Sequence, residues 1–245
     1  QNDFNNRNIT EYTNLNRSNE IYKLSQRTIR SEGDNYNPGF TMTYTRKGKK
    51  AGEQFRIISG ANFSLNKNDR VFYQQFFNPD HTPNGIDSTQ EQITDNKNSG
   101  LNIRASYDKP LVDKKTFLSL GGSYNRSNSH IEVDAAYLKN PEKIFIPMPL
   151  LSNHFKFHQD VSNFRASLKQ VLGENFSVTG GIAAEQTTIN FNLIKEGKEV
   201  GNRYWNVLPF ANINKNWRDK LTLTLSYRRT IRRPGINELN PTIDF

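Results

Sequence analysis

The sequence predicts an all-β protein, an antiparallel up-and-down transmembrane β-barrel, with this chain a partial segment of a larger barrel. Three observations predict it. Apolar and polar residues alternate with period 2 through most of the chain, the pattern of strands with one apolar and one polar face. Most of these runs are 10 or more residues long. A strand that crosses a bilayer needs about 9–11 residues, whereas globular strands usually have about 5–6. Finally, the connections alternate between short and long, as in an outer-membrane barrel.

The strands follow in order from the alternation, near 18–29, 37–46, 54–66, 97–107, 116–127, 160–170, 175–190, 203–214 and 220–231. Phe40, Met42 and Tyr44 alternate with Thr41, Thr43 and Thr45. Phe55, Ile57, Ala61, Phe63 and Leu65 share one parity. Leu101, Ile103, Ala105 and Tyr107 alternate with Asn102, Arg104, Ser106 and Asp108. Leu118, Leu120 and Tyr124 repeat the pattern, as do Phe164, Ala166 and Leu168. Phe176, Val178, Ile182 and Ala184 lie on one face, with Glu185 on the other. Between Trp205 and Ile213 the pattern falters, because Leu208 and Phe210 have the wrong parity. Leu221, Leu223, Leu225 and Tyr227 restore it against Thr222, Thr224, Ser226 and Arg228. Nine strands is an odd number, and bacterial single-chain barrels have even counts. The whole of 1–245 therefore reads as one partial barrel domain, with no second domain.

The short connections are Lys47–Glu53, Lys109–Lys115, Val171–Glu174 and Lys215–Asp219; the long ones are 66–96, 127–159 and, more modestly, 192–202. Short turns belong to the periplasmic side and long loops to the cell exterior. With their flanking residues, the short turns carry 11 basic and 5 acidic residues, against 6 and 9 in the two longest loops. Basic turns of this kind are usually solvated; contact with anionic head groups is the sharper reading.

Composition sets limits. The 245 residues carry a formal net charge of +9, only 34% are hydrophobic, and the mean hydropathy is −0.80 in the composition of the chain. No run of about 20 apolar residues exists, so there is no transmembrane helix. A barrel tolerates such polarity because one strand face looks into a wet lumen. Cysteine is absent, which excludes a disulfide scaffold. Sixteen Phe and 10 Tyr argue against disorder. The Asn-rich start has no apolar signal segment, so the chain reads as mature, truncated, or both.

The most specific segment is the run SYRRTIRRPGINELNP from Ser226 to Pro241. Tyr227, Arg233, Pro234, Leu239, Asn240 and Pro241 carry its pattern, preceded by Tyr204–Pro209, a strand and a basic turn. It resembles the outer-membrane β-barrel family of Bacteroidetes-type TonB-dependent receptors, specifically over about Tyr204–Pro241 and elsewhere through strand rhythm. The resemblance implies residence in the bacterial outer membrane and import of a scarce ligand. Its implied partners are a plug domain, an energy-coupling inner-membrane motor, a surface lipoprotein, and outer-membrane lipid with lipopolysaccharide. No plug or motor-contacting segment is recognisable here, and some members are surface scaffolds.

Prolines cannot donate to a ladder, so the last strand ends near Arg233. Arg228 faces the polar side, while Arg229, Arg232 and Arg233 lie at the strand exit. These four arginines are candidate ligand contacts, for an anionic ligand or lipopolysaccharide phosphate. A structural cluster bridging strands is the commoner use of such charges. Tyr73, Phe76 and Phe77 in VFYQQFFN form a candidate stacking surface or, equally, a strand extension above the membrane.

Enzyme chemistry has no carrier here. There is no nucleophile elbow, phosphate loop or dinucleotide fingerprint. Glu132, Asp160 and Glu185 are not placed together by sequence, as glycosidase carboxylates need to be. His154 and His158, with Asp160 close by, lie about 13 Å apart if on one strand, too far for one metal ion. The reading is thus no enzyme, no cofactor, no metal and no nucleic acid. The alternatives left open are a small passive barrel or surface scaffold, and a soluble β-sandwich binding glycans.

Overall fold

The computed structural model describes residues 2–112, 115–173, 175–217, 221–233 and 235. These residues form a single antiparallel sheet and no helix. Its strands are β1 (Asn2–Leu15), β2 (Ile21–Tyr36), β3 (Gly39–Lys47), β4 (Gln54–Phe77), β5 (Pro83–Val112), β6 (Thr116–Lys139), β7 (Ile144–Pro147), β8 (Asn153–Val171), β9 (Phe176–Leu193), β10 (Lys198–Trp217) and β11 (Leu221–Arg228). Strands pair in chain order, the up-and-down order expected, except that β2 and β3 share one edge of β4 and β7 and β8 share one edge of β6.

The nine positions across the sheet differ from the nine predicted strands. β2 and β3 lie end to end on one edge of β4 in the same register, Tyr36 opposite Leu65 and Gly39 opposite Asn62. They are one descending strand, interrupted at Asn37-Pro38, where proline has no N–H to give the ladder. The predicted pair 18–29 and 37–46 is therefore a single line, and alternation alone does not distinguish a kink from a turn. β1, polar at most positions, was not predicted; it pairs with β2 along its whole length.

The predicted long loops are also strand for most of their length. β4 and β5 stay paired from Gln54–Asp108 up to Gln75–Asp87 and close through 78–82. β6 runs on to Lys139, and β7 and β8 lie end to end on its far edge. β9 and β10 close through 194–197. Backbone pairing needs no apolar side chains, so the largely polar upper part of β5 pairs along its length without an apolar face to signal it. From Leu65 to Phe77, at about 3.3 Å per residue, β4 continues for about 40 Å along its own length beyond the apolar band. The strand ends that flank the predicted short connections lie at the opposite end, with β5 running on to Val112 and β10 to Trp217.

Alternation sorts the faces. Phe40, Ile57, Ile103, Leu120, Phe164, Ile182, Val207 and Leu225 belong to one outward face; Phe164 is 62% and Leu225 64% exposed. Exposing so much contiguous apolar surface marks an interaction surface, here one that fits lipid. The inward face carries Arg56, Arg104, Ser123, Asn163, Glu185 and Asn206 at matching registers. One sheet, apolar outside and polar inside, rules out the soluble sandwich, which needs two sheets over an apolar interior. Among the described residues β1 and β11 do not pair with each other, so the sheet is open, consistent with part of a barrel.

Candidate functional site

The inward face holds two built features. The first explains the faltering parity of β10. Phe210 points inward, opposite Gly181, and its ring lies where a side chain on Gly181 would stand. The Arg165 guanidinium sits 4.0 Å from the ring centroid. A cation over an aromatic face is favoured by about 0.5–2 kcal/mol. Phe210 thus serves the lumenal wall, fixing an arginine where β8, β9 and β10 meet.

The second feature involves the segment after β11. The Arg229 N–H donates to the Pro209 carbonyl at 3.1 Å, keeping the chain beside β10. Arg233 then pairs with the Glu185 carboxylate and donates through Nε to the Thr187 hydroxyl at 3.3 Å. Glu185 and Thr187 are buried. The guanidinium compensates a carboxylate that burial would otherwise penalise. Above them Phe155, Phe157, Ile189 and Phe191 form a small apolar core, with Phe155 fully buried.

Among the predicted site residues, Arg228, Arg229 and Arg232 are exposed, while Arg233 is half-buried on Glu185. Tyr227 lies on the outward face at the head of β11. Pro234, Leu239, Asn240 and Pro241 lie outside the described residues. Tyr73, Phe76 and Phe77 belong to β4, and alternation places Tyr73 and Phe76 on opposite faces. The Tyr73 hydroxyl donates to Asp87 at 3.3 Å, while Phe76 lies 5.0 Å under the Lys23 ammonium. Phe77 stands opposite Leu24. The three rings make a strand extension and do not share one stacking surface.

On the outward face above the apolar band, β6 and β8 carry paired charges. Asp160 accepts from Arg126 Nε at 2.9 Å, from the Tyr124 hydroxyl at 2.6 Å, and lies 2.7 Å from His158 Nε2. Burial alone would raise its pKa, but bonds from Arg126, Tyr124 and His158 outweigh it and hold the carboxyl well below the usual range. His154 faces Asp134 at 2.9 Å, a different carboxylate. Among the described residues no three such groups are placed to hold a metal ion. The signal for these pairs was present in sequence as same-parity His and Asp positions, but not their partners across the sheet.

Residues 46–245 match the family described as the outer membrane protein beta-barrel family. Among solved structures, the chain is similar to the ferric citrate transporter FecA in its unliganded form, at 12% identity and a TM-score of 0.45. The similarity covers 83% of this chain and 35% of that one. No curated protein matches the sequence.

Proposed function

Because the chain belongs to the outer membrane protein beta-barrel family, and so to the bacterial outer membrane, we propose that it forms part of the wall of a TonB-dependent receptor that imports a scarce ligand. The observation that carries this reading is the width of the wall: nine strand positions with an unclosed sheet and a polar, charged inner face. An open edge in hydrocarbon leaves backbone groups unsatisfied. β3 and β11, the edges of the described sheet at the level of the apolar band, therefore need partners there, either each other or further strands. A barrel wider than nine strands encloses a lumen large enough for a channel or a plug. A plug domain and an inner-membrane motor are the partners this function requires. The tall hairpins favour a second reading, a surface scaffold that docks a lipoprotein.

The test is uptake in cells expressing the complete protein. Accumulation of a scarce nutrient that stops when the proton-motive force is collapsed, while surface binding persists, supports energised import. Uptake that continues unchanged without that force points to a passive pore, and no uptake with retained lipoprotein binding points to the scaffold.

A further inference from the structure

Just above the apolar band on the outward face, β4, β5, β6 and β8 border a cavity of about 690 Å³. One wall is apolar: Tyr36, Phe63 and Leu65, of which Phe63 is 55% exposed. Opposite it, Lys97, His130 and Lys156 stand in one cross-strand row, Lys97 beside His130 and His130 beside Lys156. The row beneath holds Ser99, Asn128 and His158.

Two of the three have acidic neighbours. The Lys97 ammonium lies 3.0 Å from Asp95, and His130 Nε2 lies 3.1 Å from Glu132. That His130 nitrogen is buried and lacks a partner in hydrogen-bond geometry. Lys156 makes no ion pair among the described residues. With strands about 4.8 Å apart, the row spans about 10 Å, the scale of a phosphorylated sugar head group. The apolar wall is continuous with the lipid-facing band through Phe63 and Leu65, and the cavity opens on the side of the long hairpins.

We propose that this cavity binds a phosphorylated glycolipid of the outer leaflet. An acyl chain lies along Phe63 and Leu65, and a phosphate sits between Lys97 and Lys156 with His130 as an added donor. Ser99 and Asn128 face the sugar. The site depends on the chain spanning the outer membrane and is independent of import.

The test is native mass spectrometry of the complete protein in detergent, titrated with diphosphoryl lipid A. Wild-type protein is expected to retain the lipid at least ten-fold better than the same acylated sugar without phosphates. K97A/K156A is expected to lose at least ten-fold in retention, and K156R to keep it. Equal retention of the two lipids, or wild-type retention by the double variant, overturns the proposal. So does displacement by millimolar inorganic phosphate, which would mark a soluble-anion site. Heat-modifiable gel mobility reports folding of each variant, and the comparison of the two lipids on wild-type protein decides the matter even if the double variant misfolds.

Discussion

Phe210 crosses Gly181 on the inward face, in space that any side chain at position 181 would fill. Ser167 closes the same space from the β8 side, so the ring has no room to yield in that direction.

G181A is therefore expected to displace the ring from Arg165 and to destabilise the assembled barrel by about 1–3 kcal/mol, the usual cost of overpacking. F210A should make the same alanine tolerable, so the two substitutions combine non-additively. Urea unfolding of the protein in detergent or lipid checks both; additive effects would show that the ring and the glycine are not in contact.

The outward face predicts a dependence on depth. Leu120 lies mid-band on β6, between Leu118 and Tyr124, whereas Leu223 stands close to the turn end of β11, opposite Lys215. L120R is expected to cost about 2–4 kcal/mol in membrane assembly, and L223R about 0–1 kcal/mol. Refolding into vesicles measures the difference, and equal penalties would contradict the depths assigned.

Glu185 and Arg233 couple the segment after β11 to β9. R233A leaves a buried carboxylate without its cation and is expected to cost about 3–5 kcal/mol. The double variant E185Q/R233A should be milder than R233A alone. Limited proteolysis between 229 and 233 is expected to quicken in both, since each frees the segment; an unchanged rate in R233A would mean that the pair does not anchor it.

Asp160 lies on β8 beyond the band that ends at Phe164, in contact with Arg126, Tyr124 and His158. Its pKa is depressed on folding, so it contributes stability that is full above the ordinary aspartate value of about 3.9 and fades as pH falls below it. D160N removes that contribution, about 1 kcal/mol at neutral pH for a partly exposed cluster. Stability measured between pH 7 and pH 3 should fall less steeply in D160N than in wild type. Parallel curves would exclude Asp160 as a source of acid lability.

Much of the wall was readable beforehand. The outward residues of β4, β5, β6 and β8–β11 were assigned to the correct face, and the four short turns to one end. Errors gathered mostly where side-chain pattern carries little information. β1 and the upper half of β5 are largely polar, so little in them distinguishes a paired strand from a loop. Val71–Phe77 of β4 and Ile131, Val133, Ala135 and Tyr137 of β6, by contrast, carry a strand signal that the length of the predicted loops overrode. The stretch between the predicted strands 18–29 and 37–46 read as a connection, yet it is strand up to Tyr36 and the line continues past Asn37-Pro38 in unchanged register. Leu208 and Phe210 looked like a defect in alternation because the feature that accepts Phe210, the absent side chain of Gly181, lies on another strand.

By itself the sequence determined which residues face lipid and which face the lumen, because alternation is a property of each strand and successive side chains point to opposite sides whatever the partner. Only the tertiary structure decided what pairs with what: Arg233 with Glu185 across 48 residues, Arg165 with Phe210, and Lys97, His130 and Lys156 in one row. Those contacts depend on register between strands far apart in the chain. Alternation excludes a one-residue slip, which would turn every side chain to the other face. A two-residue slip keeps the faces and changes every partner. The ladder's backbone bonds are alike for every residue except proline, so the exact partners leave little trace in residue type.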